Sequence, residues 1–467
     1  MDSINKKTLK AGTWYIICTF LSKGIVFLTT PVFTRVLDTQ EYGITSTYNS
    51  WLSFFAVIST LDLYSCIQIS RIDYEDKKEE FLSSILSLSS LSAIVVYLIF
   101  KIITKFFPEW MGIPVALIDF MFLEIIFRNA FTLLQTHHRT YLKYKLFVGL
   151  TMLTVCSSPL ISLMLIKQMN NNKYWGRVVG NAIPMFFVGS IIFISIIKKG
   201  MKLYSPEYWS YGLKLSLPLI PHHLSSDILN HFDRIIINFF TGSTATAQYS
   251  VSSSYALIVQ VVWHSFNNAW VPWFYDKMRK NTEHTIGEIK KYVRVYLHFF
   301  SYLALGIIAI APEAIKIFAS SEYWGCECAA VPIVIGVYFQ FVYSLYANIE
   351  FFYKQTYKLM YGSVIAAAVN TILNVVCIPR WGYIAAAYTT MFSYFILLCM
   401  HYFMSKKIEK RDLYDVKFII ITVSEFILCT VFLVCFFDMI LIRYFLIFIL
   451  GLYIVCKYKL FIRCFFL

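Results

Sequence analysis

The stretch "HHLSSDILNHFDRIIINFF", residues 222–240, places polar and ionisable side chains inside an otherwise apolar run. At 100° per residue of an α-helix, six of these side chains fall on one face about 80° wide. They are His223, Asp227, Asn230, His231, Arg234 and Asn238, with Asp233 at the edge of the face. A guanidinium can bind two phosphate oxygens at once, and histidine changes its charge near neutral pH. The pattern therefore predicts a site that holds an anion and gains or loses protons.

Two other apolar runs also carry cations. Lys23 stands 207 residues before Asn230, and Arg128 follows Glu124 by four residues. Lys23 and Arg234 have no acidic residue three or four positions away, so a helical neighbour does not neutralise them. We expect Lys23, Arg128, Arg234 and Asn230 to bind a phosphate-bearing substrate. An alternative stays open for Arg128, which could form a closed intrahelical ion pair with Glu124.

The acids and histidines of the same stretch are candidates for ion coupling: His223, Asp227, His231 and Asp233. Asp227 stands four residues from both His223 and His231, which places all three on one helical face. Protonation would then strengthen anion binding on one side of the membrane and deprotonation would weaken it on the other. The alternative is that these groups form permanent polar contacts between packed helices.

The composition identifies the surroundings of these residues as a membrane. Of 467 residues, 58% are hydrophobic and 15% are charged, whereas soluble domains carry about 25% charged residues. Fourteen apolar runs are long enough to span a bilayer, which takes about 20 residues. They lie near 13–34, 43–69, 82–104, 114–136, 146–166, 176–197, 212–240, 246–272, 293–311, 327–352, 359–378, 382–403, 416–437 and 440–457. The expected fold class is an all-α polytopic membrane protein.

The charge distribution predicts the orientation. If the N-terminus is cytoplasmic and the spans alternate, 29 of the 41 Lys and Arg residues lie on inner segments and nine on outer loops, as the positive-inside rule requires. Both termini are then cytoplasmic. The excess of Lys and Arg on the cytoplasmic side explains the net charge of +14, so a nucleic-acid partner is not needed to account for it. The eleven cysteines are scattered and lack metal-ligand spacing, so no metal site is predicted.

Two pairs of matching segments indicate an internal duplication. "YGITSTY" (42–48) matches "YSVSSSY" (249–255) at an offset of 207, and "YWGRVVGNA" (174–182) matches "RWGYIAAAY" (380–388) at an offset of 206. Each unit contains six predicted spans, so both copies have the same orientation, as in transporters built from parallel repeats. Substrate sites in such proteins lie between the repeats.

The duplication predicts three parts of the chain. Residues 1–200 form an N-terminal six-helix lobe, 206–405 form a C-terminal six-helix lobe, and 410–467 add two transmembrane helices outside the repeat.

Three motifs resemble those of the Wzx-type polysaccharide flippases. "AAVNTILNVVCIPRWGYIAAAYTTMFSY" (366–394) has the Asn, Leu-Asn, Pro, Gly and small-residue pair of that family. "TTPVFTRVLDTQEYG" (29–43) is similar to its Pro…Arg-x-Leu…Glu-Tyr-Gly pattern. "DRIIINFFTGSTATAQYSVSSSY" (233–255) resembles its Asp-Arg-hydrophobic run. The resemblance covers about residues 10–405.

This resemblance implies the fold of the multidrug/oligosaccharidyl-lipid/polysaccharide exporter superfamily, with two six-helix lobes in a V. It also implies a flippase in the bacterial inner membrane that moves undecaprenyl-diphosphate-linked oligosaccharide repeat units from the inner to the outer leaflet. The partners are then the lipid-linked oligosaccharide, membrane lipids, and a polysaccharide polymerase with its chain-length proteins. No cofactor is expected.

Two alternatives remain at this stage. A cation-coupled multidrug exporter of the same superfamily would share the fold, and its site would favour acidic and aromatic residues over basic ones. A membrane glycosyltransferase or polymerase is the other alternative. Against an enzyme, the sequence has no Asp-x-Asp, HExxH or Walker A motif.

Overall fold

The computed structural model describes residues 2–280, 282–449 and 451–452, and these form helices joined by short connections. Seventeen α-helices follow one another along this part of the chain. They are α1 (Asp2–Val36), α2 (Thr39–Ser59), α3 (Ile67–Asp73), α4 (Lys78–Phe106), α5 (Val115–Thr140), α6 (Tyr144–Lys167), α7 (Lys173–Gly200), α8 (Pro206–Ser216), α9 (Ile220–Asp227), α10 (Asp233–Thr241), α11 (Ser243–Lys280), α12 (Glu283–Ala309), α13 (Ala311–Phe318), α14 (Glu327–Phe352), α15 (Thr356–Ile408), α16 (Val416–Cys435) and α17 (Ile440–Ile449).

These helices confirm the all-α polytopic membrane fold. Eight helices are long and apolar enough to cross a bilayer, or nine if the bent pair α2 and α3 is one span, within the described residues. α15 covers two predicted spans, and its backbone departs from helical geometry between them at Gly382, whose φ is 68°. The predicted spans at 114–136, 212–240 and 246–272 are helical, but polar residues or breaks keep them from meeting this criterion. The last predicted span, 440–457, extends beyond the described residues, and so does the C-terminus.

Contacts divide the described chain into two compact units. The first runs to Val251 and includes Met360–Thr389, while the second comprises Ser252–Leu359 and the described residues from Thr390 onward. The division into lobes at 1–200 and 206–405 was derived from the sequence duplication, and it stays a prediction. All of the predicted site residues belong to the first unit.

The second predicted span is broken near its middle. After α2 ends at Ser59, the backbone of Leu61 and Asp62 takes the left-handed conformation, with φ of 53° and 52°. A 3₁₀ turn and α3 then continue at an angle of 56° to α2. A left-handed conformation is costly for a branched residue such as leucine, so packing around the break must compensate for this strain.

The seventh predicted span is broken twice. Pro218 lies in a 3₁₀ turn, Leu217–Leu219, between α8 and α9, because proline cannot continue the hydrogen bonds of an α-helix. A π-helical turn, Ile228–Phe232, then separates α9 from α10. Such turns contain one extra residue and occur frequently at functional sites. The predicted single helical face therefore does not continue unchanged from His223 to Asn238.

Candidate functional site

Three ionisable side chains from α1 and the broken seventh span lie close together. The guanidinium of Arg234 and the ammonium of Lys23 both act electrostatically on the ring of His231. Lys23 comes from α1, and the other two come from the π turn and the start of α10. The structure therefore brings together two cations that lie 211 positions apart in the sequence. We refer to Lys23, His231 and Arg234 as the cation site.

Arg234 is held by neutral groups. Its Nε donates to Ser250 Oγ at 3.2 Å, and its Nη1 donates to the Asn230 carbonyl at 2.9 Å. The guanidinium carbon lies 5.7 Å from the centre of the Tyr249 ring. Among the described residues, no carboxylate lies within ion-pair distance of Arg234. These contacts fix the orientation of the guanidinium and leave its positive charge uncompensated.

Lys23 is half-buried in α1 and makes no hydrogen bond or ion pair with any described side chain. A lysine at the centre of a membrane helix costs about 2.5–3.5 kcal/mol on insertion scales. A cation retained at this cost, next to a second uncompensated cation, indicates a place where an anion binds. Asn230, the residue that matches Lys23 in the repeat, is exposed and donates to the Ser226 carbonyl at 2.7 Å.

Arg128 differs from these two cations because its charge is compensated. Its Nη2 lies 2.5 Å from Glu124 Oε1, which is the predicted intrahelical pair. The other Glu124 oxygen accepts a hydrogen bond from Tyr48 at 2.8 Å. Glu124 is fully buried, whereas about a third of the Arg128 side chain is exposed. The geometry favours a structural role for this pair, and a substrate contact by Arg128 stays a prediction.

His223 pairs with an acid that the sequence reasoning missed. Its Nδ1 lies 2.7 Å from Asp62 Oδ2, across the two broken spans. Asp62 has no exposed surface, and it also accepts a hydrogen bond from Ser65 at 2.6 Å. Its second oxygen has no hydrogen-bond partner among the described residues. The Tyr64 ring stacks on the His223 ring with 5.9 Å between centres.

Asp227 makes no hydrogen bond with His223 or His231, the two histidines that the sequence pattern places on its helical face. Its carboxylate makes no hydrogen bond or ion pair within the described part of the chain, and it experiences the charges of His223 and Asp62. The sequence does contain a signal for Asp62. The stretch "STLDLYS" (59–65) places this carboxylate inside a predicted span, and ionisable residues inside a membrane indicate functional sites.

Asp233 lies in a closed polar network. It is buried and accepts hydrogen bonds from the Tyr249 hydroxyl and from Asn374 Nδ2, the latter at 2.6 Å. Asn374 also donates to Asn370 at 3.1 Å and accepts from the Thr389 hydroxyl. Two of the recognised sequence motifs, around Asp233 and around Asn374, therefore meet within the first unit. A role for Asp233 in ion coupling stays a prediction.

Asn238 does not lie on the polar face that the sequence predicted for it. Its amide donates to the Gly112 carbonyl at 2.8 Å, and its side chain is buried. The π turn explains this difference, because one additional residue rotates everything after it relative to α9.

Two cations of the site thus remain without acidic partners, while the buried acids are hydrogen-bonded. In the described part of the chain no cluster of three or more His, Cys, Asp or Glu side chains could hold a metal ion.

The fold of this chain is that of known membrane transporters. It is similar to the lipid II flippase MurJ in its inward closed conformation, with a TM-score of 0.70, 17% identity, and coverage of 95% of this chain and 99% of that one. It is also similar to an inward-facing multidrug resistance transporter of the MATE family, with a TM-score of 0.61, 11% identity, and coverage of 82% and 94%. These similarities show that the chain shares the fold of these two membrane proteins.

Sequence comparison is more specific. The family model described as "Polysaccharide biosynthesis protein" matches residues 8–278, and the chain belongs to this family. A protein of the Lsg locus of Haemophilus influenzae is 22% identical over 86% of this chain and 99% of its own length. An uncharacterized membrane protein of Methanocaldococcus jannaschii is 22% identical over 92% of this chain and 90% of its own. The resemblance to polysaccharide flippases that the motifs indicated is confirmed.

Proposed function

We propose that this protein is a flippase for a lipid-linked oligosaccharide whose lipid carrier ends in a diphosphate. The single observation that supports this cargo is the pair of uncompensated cations, Lys23 and Arg234, whose charges both act on His231. A diphosphate would supply the negative charge that these residues lack. Arginine would bind two oxygens in its planar fork, and lysine would act as a point charge.

The family and the fold support the rest of the proposal. The cargo would be an undecaprenyl-diphosphate-linked repeat unit, moved from the inner to the outer leaflet of the bacterial inner membrane for O-antigen, capsule or exopolysaccharide synthesis. The chain would act as a transporter, without a cofactor or catalysis. A polysaccharide polymerase and chain-length proteins would receive the product on the outer side.

The same cations argue against a multidrug exporter as the first choice. Cationic drugs bind near acidic side chains, whereas Lys23 and Arg234 have no acidic partner among the described residues and the buried acids Asp62 and Asp233 are hydrogen-bonded to other groups. Deleting the gene should therefore change the leaflet distribution of undecaprenyl-linked glycan. A deletion strain with normal glycan distribution and drug hypersensitivity would favour the exporter instead.

The cation site can be tested by substitution. We expect Lys23→Ala and Arg234→Ala to leave the protein inserted and to reduce glycan export, and Arg234→Lys to restore it in part, because lysine lacks the two-oxygen fork. Lys101→Ala is the matched control, since Lys101 lies in a membrane helix but is paired with Asp119 at 2.6 Å. Full complementation of a deletion strain by both alanine variants at native expression would refute this site.

We further propose that protonation of the Asp62–His223 pair, together with Asp227, couples transport to the proton gradient. The pair joins α9 to the break after α2, so a change in its charge would alter the contact between these two elements. In proteoliposomes, Asp227→Asn and Asp62→Asn should each make transport independent of an imposed pH gradient while cargo binding survives. If both variants respond to the gradient as the wild type does, the cluster is structural.

A further inference from the structure

A second group of ionisable side chains lies away from the cation site, at the end of α5. His137 and His138 occupy the last turn of this helix and are only 4% and 6% exposed. Both ring nitrogens of His137 and the Nδ1 of His138 have no hydrogen-bond partner within the described part of the chain. Burying polar nitrogens without partners is unfavourable, so this arrangement indicates that a ligand or solvent binds them.

The charges of three lysines act on the histidines. Lys78, Lys143 and Lys199 all act electrostatically on His137. The Lys78 ammonium lies 5.0 Å from the centre of the Tyr141 ring, and that ring lies 4.6 Å from the His137 ring. None of the three lysines forms an ion pair with a described carboxylate. We call His137, His138 and these lysines the histidine–lysine cluster.

The nearby acids do not neutralise the cluster. Glu75 is engaged by Arg71 at 3.6 Å and by the Tyr141 hydroxyl at 3.1 Å. Glu80 is paired with Lys202 at 3.3 Å. Glu79 remains as the single acid near Tyr141 without a described ion pair. Three lysines and one unpaired acid leave the cluster positive.

The backbone also shapes this end of α5. Leu142 has a φ of 53°, and the amide of Lys143 donates to the His138 carbonyl at 2.8 Å. This tight turn places Lys143 directly after the histidines. Exposed lysines occur at the cytoplasmic side of most membrane proteins. The buried imidazoles of His137 and His138 distinguish this cluster from ordinary cytoplasmic lysines.

We infer that the histidine–lysine cluster binds a phosphate group, through imidazole N–H donors and lysine ammonium groups. Under the predicted topology it lies at the inner surface of the membrane, where the group can come from the headgroup of an anionic phospholipid or from free phosphate. This binding site is separate from the cation site and would be occupied whether or not the proposed cargo is present.

The full chain in detergent can be tested with two probes, phosphatidylglycerol and inorganic phosphate, with phosphatidylcholine as the zwitterionic control. Lys143→Gln with Lys199→Gln alters only exposed side chains, so this pair should fold. Each lysine near an anionic headgroup is worth about fivefold in affinity, and the double variant should bind phosphatidylglycerol about 25-fold more weakly. The matched control is Lys145→Gln with Lys198→Gln, which changes neighbouring exposed lysines and should bind as the wild type does.

His137→Phe with His138→Phe keeps the rings and removes the donors, and it should weaken binding at least about tenfold. Bound lipids counted by native mass spectrometry give the affinity for phosphatidylglycerol, and calorimetry gives that for phosphate. Loss of phosphatidylglycerol binding alone in the variants assigns the site to a lipid headgroup, and loss of phosphate binding assigns it to free phosphate. If neither probe distinguishes the cluster variants from the control, the inference is wrong.

Discussion

The close approach of α2 to α11 provides a sharp test of the structure. Gly43 is the fifth residue of α2 and belongs to the Glu-Tyr-Gly motif. A Cβ added there would lie 1.8 Å from the carbonyl oxygen of Ser243 and 2.9 Å from its Cα. These are backbone atoms, so a side-chain rotation cannot relieve the clash. Since ordinary contact begins at 3.4 Å, Gly43→Ala requires α11 to move away by about 1.6 Å.

The expected cost follows from two opposing effects. Forcing an additional methyl group into a packed contact costs about 1–3 kcal/mol, while replacing glycine by alanine within a helix contributes about 0.5–1 kcal/mol of stability. Gly43→Ala should therefore lower the free energy of unfolding by about 0.5–2 kcal/mol. Gly24→Ala and Gly149→Ala are matched controls, because nothing lies within 4 Å of a Cβ at either position. Both should be neutral or slightly stabilising.

Reversible unfolding in mixed micelles measures this difference for all three variants under one condition. Ser243→Ala should not rescue Gly43→Ala, because the clash involves the backbone of Ser243 and not its hydroxyl. If Gly43→Ala is as stable as the two controls, α2 and α11 do not approach each other as described. The motif glycine would then need another explanation.

Three further predictions concern orientation and the second unit. A reporter fused at residue 285 should be active in the cytoplasm only, and periplasmic activity would contradict the predicted topology. The Arg411 guanidinium beside Glu409 lowers the pKa of that carboxyl to about 2, so its contribution to stability is present above its usual pKa and is lost as the pH falls toward 2. Between pH 5 and 3, the wild type should lose more stability than Glu409→Gln in acid titrations followed by circular dichroism. Arg443 is buried and bonded to Glu313, and Arg443→Ala should destabilise the docking of α17 by about 3 kcal/mol, measured as faster cleavage there by protease.

The sequence predicted the membrane class and the positions of nearly all helices, because apolar runs of span length have few alternative interpretations. It also found the two cations that lack acidic partners, since a missing local partner can be read from spacing alone. What spacing does not show is a partner distant in sequence. His223 bonds Asp62 from 161 positions away, and the helical pattern around His223 indicated Asp227 instead.

The predicted polar face failed for a different reason. A helical wheel assumes a constant rotation per residue, and the π turn at Ile228–Phe232 adds a residue that the wheel does not contain. Asp233 was therefore placed at the edge of the face, whereas the structure buries it against Tyr249 and Asn374. Both Asp233 and Asn374 belonged to recognised motifs, but the contact between them requires the fold.

The π turn itself leads to a final prediction. Deleting Ile228 removes one residue from the turn, so the chain can form a continuous α-helix, and the protein should remain folded and inserted. The deletion also rotates α9 by about 100° relative to α10. The bond of His223 to Asp62 and the present position of Arg234 relative to α9 then cannot both be kept, because His223 and Arg234 lie on opposite sides of the turn. We expect normal expression with loss of glycan export.

A matched deletion of Val259, which is fully buried within the regular part of α11, should instead reduce the amount of folded protein, since a regular helix has no extra residue to lose. Normal export by the Ile228 deletion would show that the π turn does not position the cation site.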